Sequence, residues 1–324
     1  MQTAQWEIIL IYKIGIHFDV YIWTLGGLIL SKGRYFYKKA YIVNMSEQKP
    51  IVLWTHFRSV SHAFQRTFLQ RPQEFHIIDG PFLEFVIDTH DQHLKAVKTG
   101  IADPSKSPDP NLFMPKILSI FGKIWKPYYD ESSNKPKRMF CKEHSNFFLK
   151  AISGTSLLSN PQFLELTHTF LIRNPEKSLR SLYKAVNFIF KKNPEYFIPD
   201  FDKNLAGLKE SKQIFDLIKD LNKQPIVVDA DDLIDDPERV LKKYCELIGE
   251  EFKEEMIHWE AKNINEWNGN NFTITKLMVY NAENSTGFNE FTKKYEPEIE
   301  YPQIVYDAIA ENKPYYDYLY QFKI

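Results

Sequence analysis

The chain of 324 residues carries a net charge of −1 and is 15% aromatic, a length that suits one large domain or two small ones. Its balanced charge excludes a broadly basic nucleic-acid-binding surface. The two cysteines, Cys141 and Cys245, exclude a disulfide framework and fit a reducing, cytoplasmic setting, and no C-x-x-C or H-x-x-x-H pair occurs to hold a structural zinc.

Residues 1–44 read as an extension set apart from the rest. Ile8 to Leu30 is apolar but interrupted by Lys13, His17 and Asp19, and its cleanest run, Val20 to Leu30, is too short to span a bilayer. It has neither a basic lead-in nor a small-residue cleavage site, so it does not read as a signal peptide. Two readings stay open: a weakly structured extension, or a membrane anchor flanked by Lys32, Arg34, Lys38 and Lys39. The folded domain is expected from Met45 to Ile324.

Ile51 to Trp54 reads as a buried strand. After a break at Thr55 to Ser59, Phe64, Phe68 and Leu69 fall on one face of a helix. Strand, tight loop and helix in that order aim backbone N–H groups at an anion. Arg58, Ser59 and Ser61 add donors for phosphate or sulfate oxygens. The loop lacks glycine, so it is not a Walker A loop, and an ordinary strand–helix crossover is the alternative. His76 to Ile78 predicts a strand ended by Gly80-Pro81, with Asp79 in the turn. Further on, His90 to Lys98 predicts a short helix and Ala102 to Pro115 a proline-rich loop. Phe113 to Trp125 has helical spacing, with Ile117, Ile120, Phe121 and Ile124 on one face, and Asp130 to Lys137 is a polar loop. This region reads as a surface insertion or as a lid over a substrate site.

Met139 to Cys141 predicts a buried strand. Lys142, Glu143 and His144 follow at its C-terminal end, where ligands of open α/β sheets bind. Thr169 to Ile172 predicts another strand, and Asn174-Pro175 starts a helix that runs through Val186. Arg173 lies between them. On the residues alone, a strand-end arginine of this kind reads as the partner of a carboxylate. From Ala185 to Asn222, Leu205, Leu208, Phe215, Ile218 and Leu221 trace an amphipathic helix, while Tyr196, Phe197 and Phe201 either pack on the domain or line an apolar acceptor pocket. Pro225 to Val228 predicts a strand. The helix after it takes Asp236 as N-cap and Pro237 first, buries Val240, Leu241, Tyr244, Cys245 and Ile248, and ends at Gly249. Asp229 and Asp231 read as turn or cap residues in preference to a metal pair. Asn284-Ser-Thr-Gly-Phe288, with Lys293 and Lys294 after it, is either a loop closing over a bound ligand or a solvated charged turn. Strands alternating with helices predict one α/β domain, a mostly parallel central sheet with helices on both faces.

Four stretches, near 51–68, 138–144, 167–186 and 224–249, resemble the sulfotransferase family in the family's order. Thr55 to Phe64 is similar to the 5′-phosphosulfate loop in its P-R-S-x-S-T-A form, with Phe57 in place of the proline and His62 in place of the threonine. Lys142-Glu-His144 resembles the K-x-H segment. Arg173-Asn-Pro175, with Ser181 eight residues after the arginine, resembles the 3′-phosphate motif. The 224–249 stretch resembles the D-x-x-x-L-x-x-x-P segment. Gly80 stands where an acidic residue usually precedes Pro-Phe, with Asp79 one residue earlier.

The resemblance implies a P-loop-like sulfotransferase fold. It implies transfer of a sulfuryl group from 3′-phosphoadenosine 5′-phosphosulfate to a hydroxyl or amine of a small molecule or glycan, with no metal and no nucleic-acid partner. Arg58, Ser59, Val60, Ser61 and His62 would hold the 5′-phosphosulfate, and Arg173 and Ser181 the 3′-phosphate. His144 would be the general base, titrating near neutrality, and Lys142 would neutralise the leaving oxygen. A P-loop phosphotransferase is disfavoured by the missing Walker lysine. A non-catalytic nucleotide- or partner-binding protein of the same fold is the alternative.

Overall fold

The structure, a computed structural model, describes residues 49–83, 85–86, 114–125, 128–129, 136–153, 155–192, 201, 203–221, 223–267, 279–291 and 300–324. The extension 1–44, Met45, the helix expected at 90–98, most of the loops at 102–115 and 130–137, and Tyr196, Phe197, Lys293 and Lys294 lie outside the described residues.

Among the described residues the first elements are β1 (Ile51–Thr55) and α1 (Ser61–Leu69), then β2 (Phe75–Asp79) and α2 (Met114–Trp125). The short β3 (Tyr128–Tyr129) precedes β4 (Pro136–His144), α3 (Ser145–Ala151), α4 (Pro161–Leu164), β5 (Thr167–Ile172) and α5 (Pro175–Lys192). The last elements are α6 (Leu208–Asp220), β6 (Ile226–Asp229), α7 (Ala230–Asp235), α8 (Pro237–Ile248) and α9 (Gln303–Tyr320). The sheet order is β2-β4-β1-β5-β6, all parallel, and β3 pairs antiparallel with the start of β4. The expected α/β architecture, a mostly parallel sheet between helices, is the one observed.

Alternation along the strands sorts side chains to two covered faces. Ile51, Leu53, Phe140, Leu171 and Val228 turn to the face packed by Phe64 and Phe68 of α1 and Leu241 and Tyr244 of α8. There the Phe68 and Phe140 rings stack at 4.2 Å, and Tyr244 meets Phe64 edge-on at 5.0 Å, contacts worth about 1 kcal/mol each beyond the area they bury. Val52, Trp54, Cys141, Phe170 and Val227 turn to the other face, which α2, α3, α6 and α9 cover.

Strand β4 is longer than its apolar run predicts. Parallel pairing of Asp79 with Lys142 and of Thr55 with His144 carries the ladder through three polar residues, so tertiary pairing overrides their weak strand preference. Helix α8 follows its sequence signals. Asp236 accepts from the Arg239 N–H, Pro237 stands first, all five expected residues are buried, and Gly249 closes it at φ +73°. Beside β6, Lys323 forms a parallel bridge to Val227, Ile324 N donates to the Val227 carbonyl at 3.1 Å, and Lys323 pairs with Asp232.

Where the strands begin, buried arginines tie the sheet to its connections. Arg138 donates to the carbonyls of Lys49 and Ile248 and to Glu250, each at 2.8 Å. Arg71 reaches the same Glu250 at 3.0 Å and also pairs with Glu74.

Candidate functional site

The five parallel strands all end on the opposite edge, and the residues singled out above gather there. The chain leaves β1 through His56 to Val60 before entering α1. Arg58 and Val60 adopt left-handed φ values of 61° and 66°, a region costly for a side chain branched at Cβ. Ser59 is buried, and its hydroxyl donates to the His56 carbonyl at 2.8 Å. Val60 is the N-cap residue of α1, and the buried Ser61 opens the helix.

Arg58, Arg173 and Ser181 come together. Arg58 Nε donates to Ser181 Oγ, and Arg173 Nη1 donates to the Arg58 carbonyl, both at 3.0 Å. Asn174 caps α5 through its side chain, accepting from Glu176 N at 3.0 Å. The carboxylate alternative for Arg173 is also present: Asp231 Oδ1 lies 3.6 Å from Arg173 Nε and 3.1 Å from Lys177 Nζ. Asp229 has the expected cap role, accepting from the backbone of Asp231 and Asp232 at 3.0 and 3.1 Å.

Lys142 and His62 form a second group with a residue first read as a turn. Asp79 is the last residue of β2, and its Oδ1 lies 2.8 Å from Lys142 Nζ. Lys142 Nζ is also 3.2 Å from His62 Nε2, which stands 3.6 Å from Asp79 Oδ2. Burial, reinforced by the Lys142 charge, lowers the His62 pKa. Burial opposes ionisation of Asp79, but Lys142 and His62 outweigh it and hold the carboxyl below its usual range.

His144 is buried beside this group. Thr55 Oγ1 donates to the Glu143 carbonyl at 3.1 Å and lies 3.3 Å from His144 Nδ1. The hydroxyl proton is thus committed, so Nδ1–H donates to Thr55 and the lone pair resides on Nε2. Phe57 stacks on the imidazole at 4.6 Å, and Phe147 meets Phe57 edge-on at 5.7 Å. Burial, then the charges of Lys142 and His62, push His144 well below its ordinary value. This corrects the expectation of titration near neutrality. Glu143 points to the other face of the sheet, where its oxygens accept from Phe82 N at 2.6 Å and His144 N at 2.7 Å. Burial, only partly offset by those backbone bonds, pushes its carboxyl up to about 8.

The site therefore holds two groups on one sheet edge, with His144 next to the second. Sequence reasoning passed over His56 and Thr55 and undervalued Asp79. The available signal for Asp79 was its place at the end of a short strand, directly before a Gly-Pro break. Among the described residues no three histidine, cysteine or acidic side chains cluster as a metal site, and no helix is long and apolar enough to cross a membrane.

No protein-family model matches the chain. Two curated relatives from Arabidopsis thaliana, branched-chain-amino-acid aminotransferase-like proteins 2 and 1, are each 28% identical to it. The first matches over 271 residues, 82% of this chain and 40% of its own, and the second over 275 residues, 85% and 42%. The chain thus spans about two fifths of the length of these relatives. Among solved structures, the sulfotransferase domain from the curacin biosynthetic pathway superposes with a TM-score of 0.42 at 13% identity, covering 82% of this chain and 98% of that domain. The sulfotransferase domain from the Synechococcus PCC 7002 olefin synthase gives 0.34 at 13% identity, covering 85% and 98%.

Proposed function

We propose that this chain has a sulfotransferase-type fold and moves a sulfuryl group from 3′-phosphoadenosine 5′-phosphosulfate to a hydroxyl or amine of an acceptor. The observation that carries the reading is the convergence of Arg58, Arg173 and Ser181 on the sheet edge that also presents Lys142 and His144. Two guanidinium groups and a hydroxyl are the donor set a pair of phosphate-type anions requires. The nucleotide, when bound, supplies an activated sulfuryl group. Arg58 and the loop to His62 hold its 5′ end, and Arg173 and Ser181 hold its 3′-phosphate. His144 Nε2 takes the acceptor proton while Thr55 fixes the ring through Nδ1. Lys142 stabilises charge developing on the leaving oxygen, as preorganised donors do in group transfer.

A specific observation favours a second, non-catalytic reading: Lys142 is already engaged by Asp79 and His62. An aminotransferase reading, prompted by the names of the plant relatives, requires a lysine that forms a Schiff base with an aldehyde cofactor. Lys142 is the buried amine of the site, and its engagement with Asp79 argues against that use.

Titration of the protein with 3′-phosphoadenosine 5′-phosphate tests the nucleotide assignment. Arg173→Ala is expected to weaken it by about 2–3 kcal/mol, the worth of a charge-assisted contact. Adenosine 5′-phosphosulfate, which lacks the 3′-phosphate, should weaken far less. Equal losses for the two ligands would refute the assignment.

A further inference from the structure

We propose that His56 is a positioning residue that sets the register between the two anion-binding arms and thereby the preference of the site for a 3′-phosphorylated nucleotide; the inference rests on the nucleotide reading above. β1 and β5 run side by side from Ile51 opposite Thr167 to Trp54 opposite Phe170. Past that point they part, one strand entering the loop that carries Arg58 and the other entering α5 through Arg173. With the ladder ended, Arg173 N donates instead to His56 Nε2 at 3.0 Å. The imidazole thus carries the strand pairing one step beyond the sheet, to the place where the arms diverge.

The ring is fully committed to this bond. His56 is 1% exposed. A main-chain N–H can only donate, so Nε2 must accept, and the ring proton resides on Nδ1, which donates to the Phe57 carbonyl at 3.1 Å. Burial pushes the imidazole down to about 3, so it remains a neutral acceptor at physiological pH. Gly207, at φ +75°, lies against the root of this side chain: a Cβ there would stand 3.0 Å from His56 Cβ and 3.5 Å from its Cα. Two more contacts complete the link between the arms. The Arg173 side chain reaches the Arg58 carbonyl, and the Arg58 side chain reaches Ser181, both at 3.0 Å. Each arm is therefore placed by the other, and His56 fixes the main chain from which Arg173 projects. A shift of about 1 Å at that point misdirects a bidentate donor enough to matter.

The test uses the full chain and two substitutions that separate the ring nitrogens. In His56→Gln the side-chain amide reaches as far as Nε2 and can still accept from Arg173 N. In His56→Asn it reaches only as far as Nδ1 and keeps the Phe57 contact. Calorimetry measures Kd for adenosine 3′,5′-bisphosphate and for adenosine 5′-monophosphate, and the Kd of the monophosphate divided by that of the bisphosphate is the readout. His56→Asn is expected to lower that ratio about tenfold, the worth of one hydrogen bond, while His56→Gln stays within about threefold of the parent. Gly207→Ala, whose Cβ presses on His56 at Cβ and Cα and so displaces the residue that carries the ring, is expected to lower the ratio in the same direction. A ratio preserved in His56→Asn overturns the proposal, as does equal weakening of both ligands in both His56 variants. If His56→Asn does not fold, an unchanged ratio in Gly207→Ala overturns it. A parent protein with no preference for the 3′-phosphate removes the nucleotide reading itself, whereas a preference that survives the substitutions removes only the role of His56.

Discussion

At the edge where the strands begin, Arg71 and Arg138 converge on the carboxylate of Glu250, at 3.0 and 2.8 Å. At the edge where they end, Arg58 and Arg173 are held by a hydroxyl and a backbone carbonyl, and the carboxylate nearest Arg173 among the described residues stands off at 3.6 Å. The first arrangement neutralises buried cations within the protein and serves stability. The second orients two cations through a hydroxyl and a main-chain carbonyl at the edge proposed to receive an anion. The same residue type thus stands at both ends of one sheet with different partners.

The sharpest way to break this contrast is to remove the candidate base from the site edge. His144→Ala should lower turnover by about two to four orders of magnitude, with nucleotide affinity nearly unchanged. The base acts when neutral, so the parent rate falls as pH drops through its folded pKa. Burial and the neighbouring charges place that fall on the acid side of the ordinary histidine value of 6.5. A limb at or above 6.5 in the pH–rate profile would move the base to another residue. At the opposite edge, Glu250→Ala leaves Arg138 without its carboxylate and should cost about 3 kcal/mol in chemical denaturation. Nucleotide affinity of the folded fraction should stay at the parent value, and a parallel loss of binding would show that the two edges are not independent.

Glu143 sharpens the comparison from within the core. Its folded value of about 8 lies above the unfolded value of 4.5. The stability it contributes is therefore fully present below 4.5 and is lost as pH rises toward 8, at about 1.4 kcal/mol per pH unit inside that window. Glu143→Gln cannot ionise and should flatten the slope in denaturation curves taken across the window; an equally steep variant would assign the slope to other groups. The smallest expected effect lies in the loop. Val60→Gly should raise stability by about 1 kcal/mol by releasing the left-handed valine, read as an increase in Tm. A lower Tm would show that the valine side chain contributes more than its backbone costs.

Much of this architecture was legible in residue patterns. Apolar runs marked β1, β5 and β6, and Asp236, Pro237 and Gly249 marked both ends of α8, because caps and burial are local signals. The site was legible only where donors followed a strand end, as with Arg58 and Arg173. Cross-strand register was not: nothing within the run around Asp79 says that it pairs with Lys142. The separation of Lys142 and His144 from Glu143 follows from strand alternation, but only once β4 is known to run through His144. His56 was missed because its partner, a backbone N–H, has no sequence signature.

The pairing of Lys323 and Ile324 along β6 has a consequence for solution behaviour. An outer strand with open N–H and C=O groups is a template on which other chains can add strands. Two residues laid along β6, with Lys323 anchored to Asp232, shield part of that template. Their loss would remove few core contacts, and its cost would appear first as concentration-dependent self-association, with little change in the unfolding midpoint of dilute protein.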